Sequence, residues 1–557
     1  MNDARTFDRT DRVLSTLLFF GYLVLLLSTV RDLGYARDEG FYFQAARSYE
    51  SWFELLGSDF RRALEPATID RYWGVNHEHP ALMKSLFAFS HHYLYETVRV
   101  FREQGTAYRF PGMVLSALGV VVTYAWGKRA LGRTAGLVSA LSLAFMPRVF
   151  YHSHLDCFDL PVMTMLLVTT YAYARSLEAG LGWAIATGVL YGLLLDTKHN
   201  SWLLPAAFLA HFVLTRGAHA LRELRAGRVA IPSAFFAMLT ISPFVFYAGW
   251  PWIWHDTARR VADYVAFHLG HEYYNMEFLG ITYWKPPMPR LYAWVMTLAT
   301  VPGITLALFA IGLVVSIAVR VPALRAKLGE LRVLDHEAPV AARVPEESTA
   351  LLWLLCLLMC YAPWWSTQTP IFGGTKHWIT AYPFLCLFAG RGFAVAVTQI
   401  RELVPARRWL DFAPKLLAGC VLIGPFYMTL HSEPWGLTFY TPLVGGAPGG
   451  ASLGLNRTFW GYTTGALQGF LNERAPKSAT VYVHDTALQS WDMLHADGRV
   501  REDLHGTLAI SSSNVALYQH EQHMHRVEYE VWSDYGHAAP AVVGTYDGVP
   551  VVWAYTR

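Results

Sequence analysis

Residues capable of acid–base chemistry are concentrated in a polar, aromatic stretch, residues 31–80, that directly follows the first apolar segment. Asp38 and Glu39 are adjacent near its start, and Glu78 and His79 are adjacent at its end, before a proline. A carboxylate can act as a general base when it lies within hydrogen-bond reach of the proton that it removes. Carboxylate and imidazole groups can also bind metal ions. The stretch is therefore interpreted as a catalytic loop.

The composition of the chain places this loop in a membrane protein. Of its 557 residues, 54% are hydrophobic and only 16% are charged, and the apolar residues fall in long blocks. The formal net charge of +3 is too small to indicate nucleic acid as a partner. The five cysteines lie in or beside apolar blocks, which favours neither a disulfide framework nor a thiolate metal site. We expect a mostly α, polytopic protein of the bacterial inner membrane.

About eleven segments have the length and apolarity of a spanning helix, which needs roughly 20 residues. The first, 14–30, follows a polar N-terminus and is typical of a signal anchor whose N-terminus stays in the cytoplasm. Residues 81–98 are apolar but interrupted by Lys84, His91 and His92, which favours an interfacial or re-entrant helix. The other predicted spans are 109–127, 134–151, 158–175, 181–195, 201–215, 230–250, 291–319, 348–365, 377–396 and 413–431.

The distribution of basic residues agrees with this arrangement. Cytoplasmic loops are enriched in Lys and Arg, and with the N-terminus inside, nearly every predicted inner loop is basic. These loops contain Lys128, Arg129, Arg133, Arg216, Arg222, Arg225, Arg228, Arg320, Arg325, Lys327, Arg332, Arg401, Arg407 and Arg408. The catalytic loop and a second large loop, 250–290, then face the periplasm. The ionisable residues at the outer helix ends converge there, and such groups are costly unless they serve a site.

Familiar motifs for other chemistry are missing from the sequence. It contains no Gly-x-Ser-x-Gly elbow, no Walker loop, no Rossmann glycine pattern and no His-Glu-x-x-His. A nucleotide donor therefore has no recognisable phosphate cradle. An activated substrate for a reaction on the outer face would have to arrive on a membrane lipid.

The order of the motifs resembles that of the GT-C glycosyltransferases, and most of all the branch of protein O-mannosyltransferases and aminoarabinose transferases. A long first outer loop carries Asp38 and Glu39, a Glu-His-Pro sequence at 78–80 leads into an amphipathic helix, and an acidic turn ending at Asp159 opens a span. The resemblance is strongest over residues 14–215. In relatives similar to the aminoarabinose transferases a lysine stands where this chain has His79, which leaves the charge at that position open.

This resemblance implies a GT-C fold and the inverting transfer of a sugar from a polyprenyl-phosphate donor to an acceptor hydroxyl. By match to the Asp-Glu motif, Asp38 would be the general base and Glu39 its support. Cations aimed at the departing lipid phosphate would stabilise the transition state. The sugar stays open, as does the acceptor, which could be a lipid, a glycan or a protein. Expected substrate contacts come from Glu78, His79, Asp156, Asp159, Lys198, His199, Arg290, Lys376 and His377.

Several of these residues have simpler interpretations. Asp38 and Glu39 could cap a helix that starts near Phe41, and Asp159 could cap the next span. Lys198 or His199 could anchor a helix at the interface. No cofactor is certain, but some members of the fold use a divalent metal, with Glu78, His79 and Asp159 as candidate ligands here and His154 and Asp156 as further donors.

The chain divides by pattern into a transmembrane domain, 1–431, and a periplasmic α/β domain, 432–557. Residues 445–450 are predicted to be a flexible linker. Strands are expected at 479–484, 507–511, 541–545 and 551–555, with a helix at 486–496. His520, Glu521, His523 and His525 could bind a metal, but their spacing favours a solvated helix face.

Two other classes of function remain open. A transporter would also be polytopic, but it should show paired repeats and interrupted helices with polar groups near the bilayer midplane. No such repeat is evident, and the charged groups gather at one side instead. A non-catalytic membrane scaffold would make Asp38 and Glu78 replaceable, which the sequence does not decide.

Overall fold

The computed structural model describes residues 7–321, 346–403 and 412–557 of the chain. Helices dominate as far as residue 431, and each predicted span within the described residues coincides with one helix or a pair of helices. The α-helices up to the second outer loop are Arg9–Thr29, Arg37–Ser58, Phe60–Ala63, Pro66–Trp73, Leu82–Ser90, Gln104–Leu131, Arg133–Ala144, Pro147–Ser153, Asp159–Ala179, Leu181–Leu195, Leu204–Arg225, Ser233–Thr240 and Ser242–Gly249. Those that follow are Thr257–Leu269, Tyr292–Thr300, Gly303–Ala318, Glu346–Tyr361, Tyr382–Leu403, Ala413–His431, Gly446–Ser452, Gln468–Arg474, Leu488–Ala496 and His525–Tyr535.

Five helices within the described residues are long and apolar enough to cross a membrane. A sixth candidate is the pair Arg133–Ala144 and Pro147–Ser153, whose axes differ by 68° across a two-residue break that Pro147 follows. Leu181–Leu195, Ser233–Gly249 and Gly303–Ala318 are apolar but shorter. The prediction of a mostly helical integral membrane protein is confirmed, whereas the number of eleven spans stays a prediction.

Residues 31–80, interpreted from the sequence as the catalytic loop, form a folded helical layer. Its main helix, Arg37–Ser58, buries residues spaced three and four apart, including Tyr42, Ala46, Tyr49 and Trp52. The ring centroids of Tyr49 and Trp73 are 3.9 Å apart, and the Trp52 indole donates to a backbone carbonyl of the short helix that follows. This packing fixes the start of the main helix, where Asp38 and Glu39 lie.

The helix Leu82–Ser90 packs against this layer and continues as a π-helical segment, His91–Thr97. The break at His91 coincides with the polar residues that argued against a full span. Lys84 is buried, and its ammonium donates to the backbone carbonyls of Asn76 and His79 at 2.5 and 2.8 Å. The helix thereby supports the Glu-His turn at the end of the catalytic loop.

The second outer loop contains the helix Thr257–Leu269 and a hairpin of two short antiparallel strands, β1 (Met276–Phe278) and β2 (Ile281–Tyr283). Trp250, at the start of this loop, is fully buried against Tyr264, with ring centroids 5.1 Å apart. It therefore belongs to the protein core.

The C-terminal region forms a five-stranded sheet. Its strands are β3 (Thr480–Val483), β4 (His505–Thr507), β5 (Val515–Gln519), β6 (Val542–Tyr546) and β7 (Val549–Thr556). Their order in the sheet is β4-β3-β5-β7-β6. β3 pairs in parallel with β4 and β5, while β7 pairs antiparallel with β5 and β6. The expected α/β character is confirmed, although β5 was not predicted.

Two expectations for this region are wrong. Residues 446–452 form a short helix instead of a flexible linker, and Gly450 permits its close contact with the Tyr440 ring, where a Cβ would lie 2.5 Å from a ring carbon. Glu521 and His523 are not on a solvated helix face. They lie between β5 and the helix His525–Tyr535, and their side chains are only 3% and 6% exposed.

The sheet domain docks directly on the catalytic loop. A Cβ at Gly40 would lie 2.7 Å from the Ser490 hydroxyl oxygen, so glycine is needed where the helix Leu488–Ala496 crosses the loop helix. The Ser490 hydroxyl donates to the Ala36 carbonyl at 2.8 Å, and the Arg499 guanidinium donates to the Leu33 carbonyl at 2.7 Å. The C-terminal region therefore holds the chain just before Asp38.

Candidate functional site

Glu39 is held in a fully buried ion pair with Arg109 of the helix Gln104–Leu131. The guanidinium donates through Nε and Nη2 to the two carboxylate oxygens at 2.7 and 2.8 Å. The backbone N–H groups of Ala36 and Asp156 donate to the same carboxylate at 2.8 and 2.9 Å. With four donors, Glu39 joins the loop helix to two other segments. This makes it a positioning residue for the turn that carries Asp38.

The two acidic residues therefore differ in role. Glu39 bonds the N–H group of Ala36, three residues before it, and so serves the helix start as a cap. Asp38 does not bond that N–H; its carboxylate is 21% exposed and faces Lys376. The capping interpretation thus holds for Glu39, and Asp38 is the carboxylate that an incoming molecule could reach.

Asp38 lies among basic and aromatic groups from distant parts of the chain. The Lys376 ammonium is 3.3 Å from its Oδ2, and Nε of Arg37 is 3.7 Å from its Oδ1. The same ammonium stands 4.0 Å from the centre of the Trp460 ring, a cation–π contact. Trp460 has a positive φ of 76°, uncommon for a bulky residue, and its carbonyl accepts from the Arg37 N–H at 2.7 Å.

The loop before Lys376 is shaped to admit its side chain. Gly373 and Gly374 both have positive φ, and a Cβ at Gly373 would lie 2.4 Å from the Lys376 side chain. The ammonium is thereby fixed beside Asp38 with only 7% of the side chain exposed. Burial alone would raise the pKa of Asp38, but Lys376 and Arg37 outweigh it and hold that pKa below its usual value.

A second acid–base pair lies nearby. The Lys198 ammonium donates to Oδ1 of Asp159 at 2.6 Å, and both side chains are largely buried. Lys376 also interacts electrostatically with Asp159, so the two pairs belong to one cluster. Asp159 is the first residue of its helix, but its carboxylate makes no capping hydrogen bond there and accepts from Lys198 instead. Lys198 thus contributes to a buried cluster as well as to the helix end.

Several histidine side chains pack together beside this cluster. The rings of His199 and His268 stack with centroids 3.9 Å apart, and His79 lies 5.6 Å from His268. Nε2 of His268 bonds the Glu78 carbonyl at 2.9 Å, which ties the two outer loops together. Burial, reinforced by His268 and Lys84, holds the pKa of His79 well below its usual value, and burial lowers the pKa of His268 to about 4. These rings are therefore neutral at pH 7, so His79 does not supply the charge that a lysine would.

Of the remaining predicted residues, His377 adjoins this cluster, because it interacts electrostatically with Lys376, Lys198 and Asp159. The others are more dispersed. The Glu78 carboxylate accepts from the Asn76 amide at 2.6 Å, and Nε2 of His377 accepts from the Phe372 N–H at 3.1 Å. The Asp156 carboxyl is buried beside Glu39, and burial together with Glu39 raises its pKa well above the usual value. Arg290 is exposed, and among the described residues no contact joins it to Asp38, Lys376 or Lys198.

Glu78, His79 and Asp159 do not meet in one group of metal ligands. Within residues 7–321, 346–403 and 412–557, the groups of three or more close ligands are found elsewhere. Asp159 is bonded to Lys198, and the Glu78 carboxylate is bonded to an amide. Metal dependence of the reaction stays a prediction.

Arg148 and His152 were not among the predicted site residues. Arg148 is fully buried on the short helix Pro147–Ser153; one of its N–H groups bonds the Phe439 carbonyl at 3.3 Å, while Nε and Nη1 have no acceptor among the described residues. His152 is buried one turn later, and it interacts electrostatically with Arg148, Lys198 and Lys376. An arginine inside an apolar block was the available signal, since a buried cation without a carboxylate is costly.

Residues 91–247 match the family model described as dolichyl-phosphate-mannose-protein mannosyltransferase. The matched part contains Arg148, Asp156, Asp159, Lys198 and His199, and it ends before the Lys376 loop. Over these residues the resemblance to the protein O-mannosyltransferase branch is confirmed. Comparison with curated protein sequences found no match.

Three similar solved structures have low sequence identity to this chain. ArnT from Cupriavidus metallidurans bound to undecaprenyl phosphate is 14% identical, with a TM-score of 0.47 and coverage of 98% of both chains. Its apo state is 13% identical, with a TM-score of 0.45 and coverage of 97% of both. The oligosaccharyltransferase AglB from Archaeoglobus fulgidus, in complex with an inhibitory peptide and a dolichol-phosphate, is 10% identical, with a TM-score of 0.45 and coverage of 95% of this chain and 72% of that one.

Proposed function

We propose that this protein is a glycosyltransferase that moves a sugar from a polyprenyl-phosphate donor to an acceptor hydroxyl on the periplasmic side, with inversion at the anomeric carbon. The observation that carries the proposal is the partly exposed Asp38 carboxylate, held ionised by Lys376 beside the buried Asp159–Lys198 pair. The family match over residues 91–247 supports a lipid-linked sugar as the donor.

In the proposed reaction, Asp38 takes the proton of the acceptor hydroxyl as that oxygen attacks the anomeric carbon. The bond from that carbon to the phosphate oxygen breaks, and the phosphate leaves with the electron pair. Asp38 is a weak base because its pKa is lowered, so proton removal is concerted with departure of the phosphate. Glu39 does not touch the reactants; it fixes the turn on which Asp38 stands.

Cations around His152 are suited to the departing phosphate. Arg148 is buried and has two N–H groups without an acceptor among the described residues, and His152 interacts electrostatically with it, with Lys198 and with Lys376. A guanidinium offers paired donors to phosphate oxygens, and donors aimed at developing charge contribute much of catalysis. We assign the phosphate to Arg148, with Lys198 and Lys376 adding positive charge, and the neutral His79 and His268 to hydrogen bonds with sugar hydroxyls.

The donor class is tested by offering membranes that contain the chain radiolabelled sugars on polyprenyl phosphate and, separately, on soluble nucleotides. Transfer to endogenous lipid, glycan or protein should occur from polyprenyl phosphate alone, and membranes without the chain provide the background. The anomeric configuration of the product, read by NMR, should be opposite to that of the donor. Transfer from nucleotide sugars, or transfer from no donor at all, would reject the proposal; the latter result would favour a transporter or a scaffold.

A further inference from the structure

A second cluster of ionisable side chains lies where the second outer loop meets the C-terminal sheet. Glu277 lies on β1, whereas Glu521 and His523 follow β5. One ligand atom from each of the three lies within 4.8 Å of the other two. Nδ1 of His523 is 3.1 Å from Oε1 of Glu277 and 3.7 Å from Oε2 of Glu521. All three side chains are at most 6% exposed.

The contacts of His523 are not satisfied well by protein atoms alone. Its Nδ1 faces two carboxylate oxygens and also the Asn275 amide nitrogen, which is 3.3 Å away. A neutral ring nitrogen either donates one proton or accepts one, so it cannot serve two acceptors and a donor together. A cation between the three side chains would be coordinated by the nitrogen lone pair and by one oxygen of each carboxylate. Rotation of the Asn275 amide would then turn its oxygen toward the same point as a further ligand.

The charge around the cluster also calls for a cation. Glu277 and Glu521 are buried together, and Asp485 is linked to Glu521 through Gln519, whose amide donates to both at 3.1 and 3.5 Å. Arg37 is bonded to Asp485 at 2.9 Å and not to either glutamate. Burying two carboxylates side by side is costly unless a proton or a cation neutralises them.

A cavity with room for solvent ligands adjoins the cluster. A cavity of about 200 Å³ is lined by Glu277, Ala451, Gly454, Leu455, Arg457 and His520. Its size admits several water molecules, and its wall includes one of the three candidate ligands. Among the described residues no ion pair joins Arg457 to Glu277 or Glu521. The cavity therefore leaves positions for water molecules beside Glu277.

We propose that Glu277, Glu521 and His523 bind a divalent first-row transition metal ion that fastens the second outer loop to the C-terminal sheet. One imidazole nitrogen and two carboxylate oxygens suit Zn²⁺ or Mn²⁺ better than Ca²⁺ or Mg²⁺, which prefer all-oxygen shells. The site is separate from the Asp38 cluster and does not touch the reacting atoms. Gln519, Asp485 and Arg37 connect it to that cluster.

The proposal is tested on the full-length protein in detergent, stripped with a chelator and then equilibrated with Zn²⁺, Mn²⁺ or Co²⁺ alone. Metal content measured by mass spectrometry should be stoichiometric, and Co²⁺ should give d–d absorption bands that report its ligands. E521Q and H523A should each weaken binding by at least about 100-fold, because they remove a direct ligand. E521Q replaces a buried carboxylate with an isosteric amide, so the stripped variant should keep the size-exclusion profile of the stripped wild type.

A second group of acidic residues and a histidine, Glu50, Glu54, His92 and Glu96, provides the comparison. It is more exposed, with Glu54 62% and Glu96 46% accessible. H92A should leave the stoichiometric ion and the Co²⁺ spectrum unchanged, and added Zn²⁺ should raise Tm in the wild type and H92A but not in E521Q. An ion that is absent from the wild type, that survives E521Q and H523A, or that is lost in H92A instead would overturn the proposal. None of these readouts requires glycosyl transfer, so they stand whether or not the proposed function does.

Discussion

Replacing Arg109 with methionine should destabilise the protein severely, because it leaves a carboxylate without its counter-charge in the core. Glu39 is fully buried and receives four hydrogen bonds, two of them from the Arg109 guanidinium at 2.7 and 2.8 Å. In Arg109→Met the two remaining donors, the N–H groups of Ala36 and Asp156, face a charge that has lost its partner. Breaking a buried ion pair in this way costs about 3–5 kcal/mol of the free energy of unfolding.

The double variant Glu39→Gln/Arg109→Met distinguishes the stabilisation contributed by the ion pair from the cost of a buried carboxylate that has lost its partner. The neutral amide oxygen can still accept from Ala36 and Asp156, so the double variant should be more stable than Arg109→Met alone. We expect a coupling energy of about 2–3 kcal/mol between the two positions. The free energies are obtained from denaturant titration of the purified protein in detergent, with the exposed surface variant Arg526→Met as control. The positioning role of this pair is refuted if Arg109→Met lowers the free energy of unfolding by less than about 1 kcal/mol. It is also refuted if the effects of Glu39→Gln alone and Arg109→Met alone simply add in the double variant.

Two further predictions concern the cations of the site. In Lys376→Met, the main charge that offsets the burial of Asp38 is lost, so the pKa of Asp38 rises. The acid limb of kcat/KM should therefore lie at higher pH than in the wild type and in the exposed control Lys415→Met. An unchanged acid limb in Lys376→Met would mean either that Lys376 does not lower the pKa of Asp38 or that Asp38 is not the base that titrates. Arg148→Gln should lower the transfer rate about 10²- to 10³-fold while leaving the free energy of unfolding equal or higher, because a buried cation without a carboxylate partner is removed. A large loss of stability in Arg148→Gln would make it a structural residue.

The parts of the fold that the sequence predicted are those with local signals. Apolar blocks of sufficient length located the helices, and the position of Asp38 directly after the first of them placed it at the start of an outer helix. Asp38 and Glu39 could not be told apart, since both are acidic and adjacent. Only the approach of Arg109, and of the turn at Asp156, shows which carboxylate is buried and which is accessible.

The features that escaped prediction depend on contacts between distant segments. β5 is short and follows a serine-rich stretch, so its strand character is decided by its pairing with β3 and β7. Glu521 and His523 lie among polar residues in the sequence, and their burial is produced by the hairpin that carries Glu277. Arg148 was hidden within a predicted span, where its lack of a carboxylate partner is visible only in three dimensions.

The most direct test of the central claim is the rate of sugar transfer by Asp38→Asn, measured with a polyprenyl-phosphate donor at matched expression. Asp263→Asn is the matched control, because Asp263 is exposed on the second outer loop and paired only with Arg259 in the described structure. The account predicts that Asp38→Asn lowers kcat about 10²- to 10⁴-fold with the protein still folded, while Asp263→Asn transfers at the wild-type rate. Equal kcat in wild type and Asp38→Asn would contradict the assignment of Asp38 as the general base.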